Sequence, residues 1–156
     1  MKVLFICSGN ICRSPMAAEY FRDRAAHSGL SHVVVDSAGT LGIEGAPASA
    51  EAIEAMQEIG VDLRGHRSKG VTGAMIRTSD VIVVMSYDHQ EQLIVRFADQ
   101  GVRPFLLRAF ERGTAPDPNA REVADPMGKP LQAYRELLPL ITGCVDHLVL
   151  HVKHLS

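Results

Sequence analysis

Apolar residues along this chain fall into two rhythms. Short, nearly continuous apolar runs stand at residues 2–6, 33–37, 80–85 and 104–107. Such runs, rich in β-branched residues and lacking in/out alternation, predict strands buried on both faces of a parallel sheet. Between them the apolar residues recur at helical spacing. Ala17, Ala18, Phe21 and Ala25 mark a first helix, which Ser14 and Pro15 are placed to open and Gly29 to close. Ser49 is placed to cap a second helix running to Ile59, with Ile53 and Met56 inward and Gly60 as its stop. Residues 72–78 read as a short helix. Ser86 should cap another that turns Leu93, Ile94 and Phe97 inward. In the last helix Tyr134, Leu137, Leu138, Ile141, Val145 and Leu148 share a face, and Pro139 and Gly143 within it predict a kink or a break. Residues 109–129, polar and rich in Pro, Gly and Asp, read as a long surface loop.

Strand and helix thus alternate, which predicts an α/β fold: a four-stranded parallel sheet flanked by helices on both faces. At 156 residues a single domain spanning residues 1–156 is expected. In such sheets ligands bind beyond the carboxyl ends of the strands.

Composition removes several classes. A net charge of −2 gives no ground for nucleic-acid or membrane-surface binding. No stretch approaches the ~20 apolar residues of a membrane span, and the N-terminus does not read as a signal peptide. The three cysteines, Cys7, Cys12 and Cys144, have no metal-ligand spacing and are odd in number, which suits a reducing cytoplasm. His147, His151 and His154 lie near helical spacing and read as a solvated helix end.

The chemistry concentrates where the first strand ends, in Cys7-Ser8-Gly9-Asn10-Ile11-Cys12-Arg13-Ser14-Pro15. A loop that enters a helix N-terminus presents unpaired N–H groups to an anion. Gly9 and Asn10 tolerate the positive φ that an inward-curling loop needs. Arg13 can grip two phosphate oxygens with one planar fork. The helix end and the guanidinium favour the thiolate of Cys7, and Ser14 can point its hydroxyl at the sulfur. Together these describe a phosphate loop between strand 1 and helix 1, with sulfur attacking phosphorus to give a phosphocysteine. The expelled alkoxide or phenoxide then needs an acid. Asp117-Pro118 and Asp125-Pro126 both supply one on a stiff mount, and chemistry alone leaves the choice open.

The loop resembles the phosphate loop of the low-molecular-weight protein tyrosine phosphatases. Ser37-Ala38-Gly39-Thr40, the segment from Gly60 to Ser68 with His66, and Val123-Ala124-Asp125-Pro126 resemble further family motifs. The resemblance implies Cys7 as nucleophile, Arg13 as phosphate clamp and Asp125, rather than Asp117, as general acid. It implies that Ser8, Gly9, Asn10, Ile11, Cys12 and Ser14 form the substrate loop, with His66 hydrogen-bonding behind Asn10. It further implies that Cys12 can trap Cys7 as a reversible disulfide, and that neither metal nor cofactor is needed. The substrates implied are phosphotyrosine proteins, met by a cytoplasmic monomer or weak dimer.

Two departures bear on substrate. Met127-Gly128 follows the Asp-Pro where many members carry aromatics, and this resembles a bacterial branch that includes protein arginine phosphatases. Leu41 or Ile43 stands where the family's other aromatic wall would be. Ile11, however, matches the tyrosine-directed form; the arginine-directed branch carries threonine there. An arsenate reductase of the same fold would need two further relay cysteines, and none lies between Cys12 and Cys144.

Overall fold

The computed structural model describes residues 1–156. Four strands, β1 (Lys2–Cys7), β2 (Val34–Gly39), β3 (Val81–Val84) and β4 (Phe105–Leu106), pair in parallel in the order β2-β1-β3-β4. Val3 to Ile6 of β1 are fully buried because both neighbouring strands and both layers of helices cover them. That is why the run carries no alternation. The helices are α1 (Arg13–His27), α2 (Ala50–Glu58), α3 (Gly73–Thr78), α4 (Tyr87–Arg96) and α5 (Leu131–Leu155). From the central pair, β1-α1-β2 steps one way and β3-α4-β4 the other. Right-handed crossovers in opposite directions put α1 and α4 on opposite faces. The chain therefore changes direction between β1 and β3, and at such a switch point the strand ends open a crevice. Cys7 ends β1 at that point, paired with Gly39.

One continuous apolar core runs through both faces. Phe5 and Phe21 meet inside it with ring centroids 5.7 Å apart. Each fully buried aromatic of this kind contributes about 2 kcal/mol by leaving water. On the α1 side the core is closed by α5, whose Tyr134, Ile141, Val145 and Leu148 are buried.

Ser49 and Ser86 cap their helices as expected, accepting from the N–H groups of Ala52 and His89, and Thr72 caps α3 in the same way through the N–H of Met75. Four expectations need correction. Ser14 does not cap α1: the helix starts at Arg13 with Cys12 at the cap position, so Ser14 lies inside the first turn. Its hydroxyl is thereby released for other partners. Pro15 is tolerated because first-turn N–H groups have no intrahelical acceptor in any case. Of the kink or break expected in the last helix, the break does not occur, and α5 continues past Pro139 and Gly143 as one element. Its apolar face is held by the core along most of its length, which outweighs the loss of one backbone bond. Ile94 points outward, while Leu93 is fully buried. His147 and His151 are not a solvated end. Their Nδ1 atoms meet the carbonyls of Phe110 and Thr114 at 2.7 and 3.0 Å, pinning the start of the long loop to α5.

Candidate active site

The loop from Cys7 to Arg13 wraps around one point. None of the backbone N–H groups from Ser8 to Ser14 donates to an acceptor within the chain. They form a row of free donors at the N-terminus of α1, where the helix dipole favours negative charge. Asn10 holds the curl. Its φ of 58° is the one positive value at a non-glycine residue in the chain, and its side chain is saturated. Nδ2 donates to Ser14 Oγ and Ser37 Oγ, both at 2.9 Å, and Oδ1 accepts from the N–H of Lys69 at 3.0 Å. The carbonyl of Asn10 meets His66 Nε2 at 2.7 Å, so His66 sits behind Asn10 as the resemblance implied. Burial holds the pKa of His66 below its ordinary value, and the imidazole is neutral around pH 7.

Ser14 Oγ lies 3.0 Å from Cys7 Sγ. Ser14 is completely buried and already accepts from Asn10, so its own proton is free for the sulfur. A hydroxyl placed in this way can donate to the sulfur, as a thiolate nucleophile requires. Arg13, also buried, divides its guanidinium. Nη1 donates to the carbonyl of Val123 at 2.9 Å, and Nη2 lies 3.8 Å from Asp125 Oδ2.

A cavity of about 200 Å³ opens over the loop, lined by residues including Cys7, Ser8, Arg13 and Asp125. Its upper walls are Ile11, Leu41, Ile43 and Met127. Leu41 is 67% exposed and Met127 48%, as a rim that meets an incoming apolar group would be. Asp125 belongs to this cavity and Asp117 does not; Asp117 lines a separate hollow with Arg108 and Arg112. Asp125 Oδ1 accepts from the N–H of Met127 at 3.0 Å, and the side chain is 54% exposed at the cavity mouth.

Cys12 is buried and also lines the cavity of Cys7. Its thiol meets Tyr134 Oη at 3.3 Å and Ser49 Oγ at 3.5 Å, and burial raises its pKa. Burial pushes the pKa of Cys144, which lies outside this cavity, up to about 12. Two participants carry roles that the sequence-based expectations do not assign, although Ser37 opens the Ser37-Ala38-Gly39-Thr40 motif. Ser37 braces Asn10. His89, on the first turn of α4, reaches Ser8 Oγ with Nε2 at 2.8 Å. The signal for His89 was its place: three residues after the capping Ser86, beside the switch point of the sheet.

A row of free amides with a buried arginine and a cysteine at a strand end, on this sheet, defines a cysteine-dependent phosphatase. The chain belongs to the low molecular weight phosphotyrosine protein phosphatase family, whose profile matches residues 2–155. A relative from Ralstonia nicotianae, named "Probable low molecular weight protein-tyrosine-phosphatase EpsP", is 33% identical over 154 residues, covering 99% of this chain and 97% of the relative. A protein-arginine-phosphatase from Geobacillus stearothermophilus is 33% identical over 147 residues, covering 94% of this chain and 93% of its own. The crystal structure of a low molecular weight protein tyrosine phosphatase from T. tengcongensis superimposes with a TM-score of 0.85 at 32% identity, covering 96% of this chain and 97% of that one. No helix here is long and apolar enough to cross a membrane.

Proposed function

We propose that the protein hydrolyses phosphotyrosine in phosphoproteins, with Cys7 as nucleophile, Arg13 as clamp and Asp125 as acid and base. One observation carries this: Cys7, Arg13 and Asp125 line the same cavity, whose outer walls are apolar. The phosphoryl dianion sits in the row of amides with the arm of Arg13 that Val123 leaves free. The Cys7 thiolate attacks phosphorus, an S–P bond forms, and the P–O ester bond breaks. The departing phenolate takes the proton of Asp125 and leaves as the phenol. Water then attacks the phosphocysteine, its proton passes to the Asp125 carboxylate, and the S–P bond breaks. Inorganic phosphate and the thiolate result. General acid catalysis of this kind contributes about 10²–10⁴-fold, and aimed donors around the phosphoryl group supply much of the remainder.

The walls favour tyrosine. Ile11, Leu41, Ile43 and Met127 can cover a phenyl ring, but a guanidinium leaving group would find only Asp125 among the lining residues as an anionic partner. Phosphoarginine is the second reading, supported by the Geobacillus stearothermophilus relative and by Met127-Gly128 after the Asp-Pro. Side-by-side turnover of phosphotyrosine and phosphoarginine peptides separates the two. Wild-type protein should prefer phosphotyrosine, and Ile11→Thr should narrow the gap. A clear preference for phosphoarginine overturns the substrate assignment. Cys7→Ser should abolish turnover while phosphate still binds, and activity near wild type in that variant excludes the covalent route.

A further inference from the structure

Behind the phosphate loop lies a hydrogen-bonded chain that none of the roles above uses. His89 is 2% exposed, and both its ring nitrogens are engaged: Nε2 with Ser8 Oγ at 2.8 Å and Nδ1 with Ser86 Oγ at 2.9 Å. Ser86 Oγ also accepts from the backbone N–H of His89 at 3.2 Å, as the cap of α4. No other group contacts the Ser86 hydroxyl, and no group but His89 contacts that of Ser8.

These contacts are compatible with two tautomers, and an anion in the cavity decides between them. A neutral imidazole has one donor and one acceptor nitrogen. If Nδ1 carried the proton, Ser86 Oγ would accept twice and its own proton would be left to the solvent that partly exposed Ser86 meets. If Nε2 carries it, Ser86 accepts from the backbone and donates to Nδ1, and both its bonds are made. Ser8 Oγ then accepts from Nε2–H, and the Ser8 proton is the one left over. Ser8 lines the cavity with Cys7 and Arg13, so an anion held there is the acceptor that completes the chain. Burial, and next the charge of Arg13, push the pKa of His89 down to about 4, which keeps the ring neutral.

We propose that Ser8 donates its hydroxyl proton to a phosphoryl oxygen, that His89 is the positioning residue aiming that hydroxyl, and that Ser86 fixes the imidazole tautomer. A hydroxyl that already accepts a hydrogen bond is the stronger donor for doing so. The contact adds a side-chain donor of the loop to its backbone amides, aimed by Ser86 and His89 at the start of α4. It rests on the proposed phosphate chemistry of the cavity and assigns it one more ligand.

The test combines substitution with NMR. In wild-type protein bound to inorganic phosphate, the ¹⁵N signals of His89 should show Nε2 protonated and Nδ1 bare. Ser8→Ala should weaken inhibition by vanadate and raise KM by about tenfold, the worth of one hydrogen bond to a charged group. His89→Ala should do the same, and in a Ser8→Ala background it should add nothing. His89→Gln, whose amide can still donate to Ser8, should recover most of the affinity. Ser86→Ala, a smaller change that leaves the imidazole in place, should loosen the tautomer and give an intermediate loss. A merely structural role lowers the active fraction, and so kcat, while leaving KM and vanadate affinity alone. Any of three results overturns the proposal: a proton on Nδ1, vanadate affinity within twofold of wild type in Ser8→Ala, or additive effects of Ser8→Ala and His89→Ala. If the protein binds phosphate yet hydrolyses no phosphate ester, the proposed function fails, and the affinity comparison still decides the role of Ser8.

Discussion

Arg13 Nη1 donates to the carbonyl of Val123 at 2.9 Å, and through that bond the first turn of α1 holds the loop that carries Asp125. Val123 is fixed from its other side, its N–H donating to the carbonyl of Met85 at the end of β3 at 2.8 Å. The proposed clamp and the proposed acid are therefore positioned by one guanidinium. Arg13→Lys keeps the charge but loses the fork. A lysine cannot bond Val123 and grip two phosphate oxygens together. We expect kcat/KM to fall on the order of 10²-fold, with faster proteolysis within residues 112–129. Steady-state kinetics with limited proteolysis checks both, and a variant with intact activity and an intact loop refutes the shared role.

The two Asp-Pro pairs separate by place. Asp125 opens onto the cavity of Cys7, while Asp117 turns its carboxylate to the N–H of Asn119 at 2.9 Å in another hollow. Asp125→Asn should slow hydrolysis of phenyl phosphate by about 10²–10⁴-fold. The loss should be smaller with p-nitrophenyl phosphate, whose leaving group needs less protonation. Asp117→Asn should leave both rates near wild type. The reverse pattern would transfer the acid to Asp117.

What could be read ahead of the structure follows from how local each signal is. The strand of residues 2–6, the loop after it and the serine caps at Ser49 and Ser86 are written in neighbouring residues, and they stand where expected. The row of amides follows from Gly9 and Asn10 beside a helix start. Ser14 misled because Ser-Pro is a good local cap, whereas a thiol at Cys7 and an amide at Asn10 compete for its hydroxyl. Pro139 does not end α5 for a related reason: tertiary burial of the helix outweighs a local helix breaker. His89 could not be tied to Ser8, which lies 81 residues away, until β1 and β3 were known to be neighbours.

Gly39 gives a prediction from close approach. A Cβ placed there would lie 2.5 Å from the carbonyl oxygen of Ser8 and 3.0 Å from the N–H nitrogen of Asn10, all backbone. Main chain cannot swing aside as the tip of a side chain can, so Gly39→Ala must push the phosphate loop out of shape. We expect phosphate and vanadate affinity to drop by at least about tenfold, with a destabilisation of roughly 1–3 kcal/mol. Titration calorimetry beside urea unfolding reads the two. Unchanged anion affinity would show that the loop does not depend on this contact.

Acid should loosen the fold through His89. Unfolded, a histidine takes up its proton near pH 6.5, whereas burial and the Arg13 charge delay this to about 4 in the folded chain. Between those values the unfolded state binds more protons, so stability rises with pH across the window. The contribution is fully present above about pH 6.5 and is lost as pH falls to about 4; a gap of this size is worth at most about 3 kcal/mol. His66, whose pKa is also lowered by burial, acts in the same direction. Urea unfolding followed from about pH 7 to about pH 4 should give a positive slope that is visibly flatter in His89→Gln, which has no proton to gain. Carboxylates paired with arginines, such as Glu58 with Arg135, titrate alike in both proteins and cancel from the comparison. Equal slopes for wild type and His89→Gln would mean that His89 protonates as readily in the folded chain as in the unfolded one, and that the imidazole is not held neutral between Ser8 and Ser86.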